Sequence, residues 1–222
     1  MNELERMLRD IQTEVELTRH AINKDTLDVR VMAAMKQVPR HEFLPEDLRN
    51  LAYDNGPVPI GSGQTISQPY IVALMTDLLE SNPTDVILEI GTGSGYQAAV
   101  LSKLVKKVYS IEIIESLAKL ASKRLKALGY DNIEVRNDNG CFGWPEHAPF
   151  DGIIVTAAAP HIPQAWADQL RVGGRLVVPM GSPYGYQELM VFEKTAKHEM
   201  KSRTVLGVRF VPLTGAHNQP DS

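Results

Sequence analysis

Apolar residues recur along the first part of the chain with the period of a helix. Leu4, Leu8, Ile11 and Val15 fall on one stripe, and Glu3, Glu5, Arg6, Arg9, Asp10, Glu14 and Glu16 fill the other faces, so the spacing predicts an amphipathic helix packed on the body of the protein. A second helix is expected from Asp25 or Thr26 through Val29, Met32, Ala33, Met35 and Lys36. It stops before Pro39, because the residue ahead of a proline resists helical geometry. The stretch 54–63 is dense in turn formers and reads as a connector or a binding loop. After Pro69, the residues Ile71, Leu74, Met75, Leu78 and Leu79 share one face of a third helix.

From Asp85 the rhythm changes to short apolar runs separated by helical stretches. Runs at 86–90, 107–112, 133–135, 150–155, 174–178 and 189–192 read as strands, with helices at 96–104, 117–128 and 162–170 between them. The run 204–213 offers one more strand. Parallel strands need crossovers, and crossovers cover the sheet, so this alternation predicts an α/β fold with a doubly wound, mostly parallel sheet and a helical N-terminal addition. The chain, 1–222, is expected to form a single domain: a helical extension and loop over 1–80, and the sheet over 81–222. It contains no internal repeat, linker or low-complexity tract.

Composition narrows the class of partner. With 222 residues there is enough chain for one well-buried core. At 43% hydrophobic and 23% charged, the sequence is neither disordered nor fibrous. A net charge of −4 provides no broad positive field, so neither a nucleic acid nor an anionic membrane is expected as a partner. One cysteine, Cys141, cannot form an internal disulfide, and the charged start from Met1 to Arg6 is followed by no apolar signal region. No apolar run approaches the ~18 residues of a membrane span, and the expected location is cytoplasmic.

The segment 86–100 carries the clearest chemistry: an apolar strand runs through a glycine-rich turn into a helix. In a doubly wound sheet this is where nucleotide-like ligands bind, since glycines admit the ligand to the backbone and the helix start offers free N–H groups. The spacing distinguishes ligands. A dinucleotide fingerprint would place a third glycine where Tyr96 stands. Here Glu89 lies two residues ahead of Gly91, with Gly93 and Gly95 following, which suits a ligand lacking a pyrophosphate and bearing a cationic amino end. Glu112 ends the next strand at a distance suited to accept both hydroxyls of a ribose. A glycine turn alone is usually only a turn, but strand, helix and spaced acid together point to an adenosine-bearing ligand.

Five segments resemble the protein-L-isoaspartate O-methyltransferase family: 59–69, 88–97, 148–160, 170–176 and 209–213. The resemblance covers 29–214, and Gly63-Gln64-Thr65-Ile66-Ser67 is its most particular element. It implies a Rossmann-like methyltransferase fold and methyl transfer from S-adenosyl-L-methionine, leaving S-adenosyl-L-homocysteine. The acceptor would be the α-carboxylate of L-isoaspartyl residues, and secondarily D-aspartyl residues, in damaged peptides and proteins. The resulting ester collapses to a succinimide and so begins repair. A carboxylate with a pKa of about 4 is already ionised at neutral pH and needs no general base, so orientation and exclusion of water are the main tasks.

Carried over by position, the resemblance makes Ser67 the catalytic residue and assigns the cofactor to Gln64, Thr65, Ile66, Glu89, Gly91, Gly93, Glu112, Asn139, Gly140 and Thr214. Of these, Glu89, Gly91 and Gly93 would line the methionine end and Glu112 the ribose. Substrate would meet Thr65, Ser67, Val211, Pro212 and Leu213. On spacing alone, Ser67 is equally placed to cap the helix that begins at Pro69. Asn139 departs from the acid usual in the family beside the adenine, although its side-chain oxygen can still accept from an exocyclic amine. Asn139-Gly140 and Asn55-Gly56 are also dipeptides prone to deamidation.

Cys141 reads as a buried thiol, and Trp144, Trp166 and Tyr96 as core or pocket wall. The histidines are scattered, His161 reads as a loop residue, and no metal-ligand spacing occurs. Oligomeric state is left open. Two further readings stand beside the family's: a methyltransferase acting on another carboxylate or a small molecule, and an adaptor that binds the cofactor without turning it over.

Overall fold

The computed structural model describes residues 2–182 and 185–215. Helix α1 (Glu3–Ile22) starts at a reciprocal cap, with the Asn2 side chain accepting from the Glu5 N–H and the Glu5 carboxylate accepting from the Asn2 N–H. Its buried stripe is Met7, Ile11, Val15 and Ile22, so the expected Leu4 and Leu8 flank the contact instead of centring it. Helix α2 (Val29–Gln37) begins later than Asp25 or Thr26 because Asp28 takes the cap, its carboxylate accepting from the Arg30 N–H at 2.8 Å.

The turn-rich stretch holds structure that its composition conceals. Strands β1 (Val58–Gly61) and β2 (Gln64–Ile66) pair antiparallel as a small hairpin, turned by Gly61, Ser62 and Gly63, all at positive φ. Helix α3 (Pro69–Leu78) follows, with its proline in the first turn.

The main sheet comprises β3 (Val86–Ile90), β4 (Lys107–Glu112), β5 (Ile133–Asn137), β6 (Phe150–Val155), β7 (Leu170–Gly181), β8 (Gln187–Lys194) and β9 (Met200–Val208). Its order is β5-β4-β3-β6-β7-β8-β9, parallel from β5 to β7, with β8 antiparallel to both its neighbours. The helices α4 (Tyr96–Ser102) and α5 (Glu115–Ala127) carry the chain outward from β3, whereas α6 (Gln164–Gln169) carries it the other way from β6. The winding therefore reverses between β3 and β6, and a crevice opens there at the carboxyl ends of the strands.

Period-two alternation divides the core between the two faces. Ile87, Val108, Ile154 and Val177 join α1 to α4 in one apolar cluster, while Leu88, Ile90, Ile153, Val155, Leu176 and Val178 pack with Trp144 and Trp166 in the other. The last strand ends at Val208, short of the expected 213. Proline cannot donate to a ladder, and the chain leaves the sheet as an arm whose Pro212 bridges to Ala158 beyond β6. No helix among the described residues is long and apolar enough to cross a membrane.

Candidate active site

A cleft opens over the carboxyl ends of β3, β4 and β6. The hairpin supplies Gln64, Thr65, Ile66 and Ser67 to its wall. Opposite them stand Gly91 and Gly93 of the glycine loop, with Glu112 and Gly140 beside them, and the arm adds Val211, Pro212, Leu213 and Thr214. Twelve of the residues expected from the sequence thus meet around one space although they come from five separate stretches of chain.

The glycine loop takes its shape from positive φ at Gly91, Gly93 and Gly95. A Cβ on Gly91 would collide with Thr156 Oγ1, which donates to the Gly91 carbonyl at 2.5 Å, so only glycine fits against this neighbour. Glu112 fastens the loop from the side: Oε2 accepts from the Gly93 N–H at 2.7 Å and Oε1 from the Ile114 N–H at 2.9 Å. No lysine or arginine lines the described wall, and Glu112 is its only carboxylate. That donor set disfavours a polyphosphate and suits hydroxyls and a cationic ligand.

Two expected residues do not reach the wall. Glu89 is fully buried beneath it and pairs with Ser110, whose hydroxyl donates to Glu89 Oε2 and lies 2.5 Å from the Thr92 hydroxyl. Glu89 thus connects to the cleft only through Ser110 and Thr92. Burial without a cation pushes its carboxyl up to about 8, with the nearby Glu112 charge acting in the same direction, so Glu89 is largely protonated at neutral pH. Oε1 has no hydrogen-bond partner among the described residues. Asn139 is likewise turned aside: its Oδ1 accepts from the Cys141 N–H at 3.0 Å, capping a short turn, and its Nδ2 donates to the Gly215 carbonyl at 3.4 Å. Gly140 takes its place on the wall.

Ser67 does not cap α3. The cap position is Gln68, without a side-chain bond to the first turn, and no hydrogen bond engages the Ser67 hydroxyl among the described residues. Ser67 instead stands where the cleft meets a second cavity of about 400 Å³. Thr65, Ser67, Thr156 and Val211 line both, and the second is completed by Pro57, Gln68, Ile71, Tyr186 and residues 207–210. Among the described residues, neither histidine nor lysine nor cysteine lines either space, and Glu112 is the one carboxylate.

Cys141 is buried, and burial raises its thiol further from reactivity. Trp144 and Trp166 belong to the core, Tyr96 is both core and cleft wall, and His161 lies exposed on a loop. The amide of Asn55 is held between Glu14 and Gln68. Sequence reasoning missed Thr156, Ile113 and Ile114 on the wall. The carboxyl ends of β6 and β4 bring them there, so the crevice rule for doubly wound sheets is the signal that would have found them.

Residues 12–218 match the family model described as protein-L-isoaspartate(D-aspartate) O-methyltransferase. The chain is 63% identical over 216 residues to protein-L-isoaspartate O-methyltransferase 2 of Nitrosococcus oceani, covering 96% of this chain and 97% of that one. It is 57% identical over 212 residues to the protein of the same name from Syntrophobacter fumaroxidans, covering 96% and 86%. A solved protein-L-isoaspartate O-methyltransferase superposes with a TM-score of 0.82 at 26% identity, covering 96% of this chain and 66% of that longer one. A Plasmodium falciparum structure described as a complex with S-adenosyl-L-homocysteine gives a TM-score of 0.74 at 25% identity, covering 93% and 97%.

Proposed function

The chain belongs to the protein-L-isoaspartate(D-aspartate) O-methyltransferase family, and from that premise we propose how its own residues carry out the family's reaction. It transfers a methyl group from S-adenosyl-L-methionine to the α-carboxylate of L-isoaspartyl residues, and of D-aspartyl residues, in damaged peptides and proteins, and so initiates their repair. The observation that carries the assignment of roles is the junction at Ser67. Ser67, whose hydroxyl is unengaged among the described residues, lines both the cleft suited to a nucleoside and the second cavity beside it.

The cofactor supplies an electrophilic methyl group. The donor set of the cleft fits it, since glycine backbone admits the ligand closely, Glu112 accepts from ribose hydroxyls and no lysine or arginine among the described residues lines it to select for phosphate. Gln64, Thr65 and Ile66 cover it from the hairpin, Gly91 and Gly93 border the methionine end, and Gly140, with Asn139 behind it, borders the adenine. Glu89 acts through Ser110 and Thr92 instead of touching the ligand. Thr214 closes the side of the arm.

The acceptor carboxylate arrives ionised, so the protein need remove no proton, consistent with a wall that holds no histidine or lysine among the described residues. Ser67 and Thr65 orient its oxygens, and the arm over 211–213 contacts the substrate main chain. Recognition through backbone suits a lesion defined by its backbone and tolerates varied surrounding sequence. Once the site closes over the anion, loss of water raises its reactivity, and alignment supplies the remainder.

We place this activity in a single domain acting in the cytoplasm. One apolar cluster running from α1 and α2 to β9, and a lone cysteine, support that reading. Transfer of tritium from labelled S-adenosyl-L-methionine to an isoaspartyl peptide, and not to its normal aspartyl twin, is the expected result, with a base-labile product marking an ester. Equal labelling of the two peptides, or of neither, would refute it.

A further inference from the structure

Arg40 opens the short turn Arg40–Phe43 after α2, and its side chain is completely buried. A buried guanidinium is costly unless partnered, yet no carboxylate pairs with it among the described residues. Its partners are two carbonyls and a ring. Nε donates to the Ala52 carbonyl at 2.7 Å, Nη2 donates to the Ser67 carbonyl at 2.8 Å, and the guanidinium lies 4.9 Å from the centre of the Tyr96 ring. Nη1, equally buried, has no partner among the described residues.

These three contacts lie on different parts of the site. Ala52 precedes the hairpin, Ser67 follows it, and Tyr96 begins α4 immediately beyond the glycine loop and lines the cleft. An apolar side chain of similar volume would fill the same space without the desolvation penalty. It could not hold the Ser67 carbonyl, and two donors spread across one rigid plane can. We propose that Arg40 is the positioning residue for Ser67: by fixing the peptide plane between Ser67 and Gln68, it sets the direction in which the Ser67 hydroxyl meets the substrate carboxylate. This rests on the isoaspartyl reading above and assigns that reading a buried determinant outside the cleft.

Arg40→Met removes the donors and keeps much of the volume, while Arg40→Lys keeps the charge and one short-range donor. In the folded, full-length protein, Arg40→Met is expected to lower kcat/KM for an isoaspartyl peptide by about five- to tenfold, no more than loss of the Ser67 hydroxyl itself. Affinity for S-adenosylhomocysteine by calorimetry should stay within about threefold, and Arg40→Lys should recover part of the loss. The deciding measurement is a double-mutant cycle. If Arg40 acts through Ser67, adding Ser67→Ala to Arg40→Met costs less than about twofold more, whereas independent roles multiply. Multiplying losses, a parallel collapse of S-adenosylhomocysteine affinity, or unchanged turnover would each overturn the proposal. Should Arg40→Met fail to fold, the same cycle in the Arg40→Lys background decides by the same criterion. A wild-type protein inactive on the isoaspartyl peptide would remove the functional reading and this role with it. An active wild type with an additive cycle would remove only the role of Arg40.

Discussion

The glycine loop and the hairpin face each other across the same cleft but are built on opposite physical terms. Gly91 and Gly95 are pressed against Thr156 and Leu125, and the loop is tied to Glu112 and to the ends of buried parallel strands. At the hairpin turn, Gly61 and Gly63 adopt similar positive φ values with nothing near the missing Cβ. One wall is fixed by the sheet. The other is a short ribbon anchored at its exit by Arg40, with room to adjust around a polypeptide. The difference fits the proposed division of labour, in which the rigid wall borders the ribose and methionine end of a cofactor of constant shape, and the hairpin covers that cofactor while also meeting substrates of varied sequence.

Paired substitutions test that contrast most severely. Gly91→Ala should weaken S-adenosylhomocysteine binding by about 100-fold or more, because both φ and Thr156 oppose the new methyl. Gly63→Ala meets only the left-handed strain of about 1–2 kcal/mol, and calorimetry should show binding within about threefold of wild type. Comparable losses in both would erase the distinction. Next in size, Ser67→Ala should lower kcat for an isoaspartyl peptide by about tenfold while cofactor affinity stays within about twofold; equal turnover would take Ser67 out of the mechanism.

A pH-dependent effect belongs to the rigid wall alone. The Glu89 carboxyl is raised from an ordinary 4.5 to about 8 in the folded protein, so between those values the folded state holds a proton that the unfolded state has released. Stability from this group is therefore present below about pH 4.5 and is lost progressively as pH rises towards 8, by at most about 5 kcal/mol. Urea unfolding should show Glu89→Gln flattening that decline, and a profile parallel to wild type would contradict the buried, protonated state. The smallest expected effect is Asn139→Asp. Aspartate caps the same turn as well as asparagine does, so S-adenosylhomocysteine affinity should change by less than about threefold.

The same contrast governed what the sequence made legible. The strands and helices around the glycine loop announce themselves, because buried parallel strands are continuous apolar runs and Glu89, Gly91, Gly93 and Glu112 lie on a short contiguous stretch. The hairpin does not: its strands are three and four residues long and carry Pro59, too short for the Val58 and Ile60 alternation to register, so turn composition conceals them. Position on the strand was readable for Glu89, but depth was not, since only the packing of Ser110 and α4 around it seals it below the wall. Asn139 was placed at the correct strand end, and its side chain turned to a local N–H that no spacing rule forecasts. Arg40 left no signal at all, because its partners are backbone carbonyls 12 and 27 residues away.

The most direct test of the account is a crystal structure of the protein with S-adenosylhomocysteine and an isoaspartyl peptide bound together. The prediction is a thioether sulfur between the glycine loop and Ser67, with the ribose on Glu112 and the isoaspartyl α-carboxylate on the Ser67 hydroxyl. A nucleoside bound elsewhere, or a peptide whose carboxylate lies away from Ser67, would contradict it.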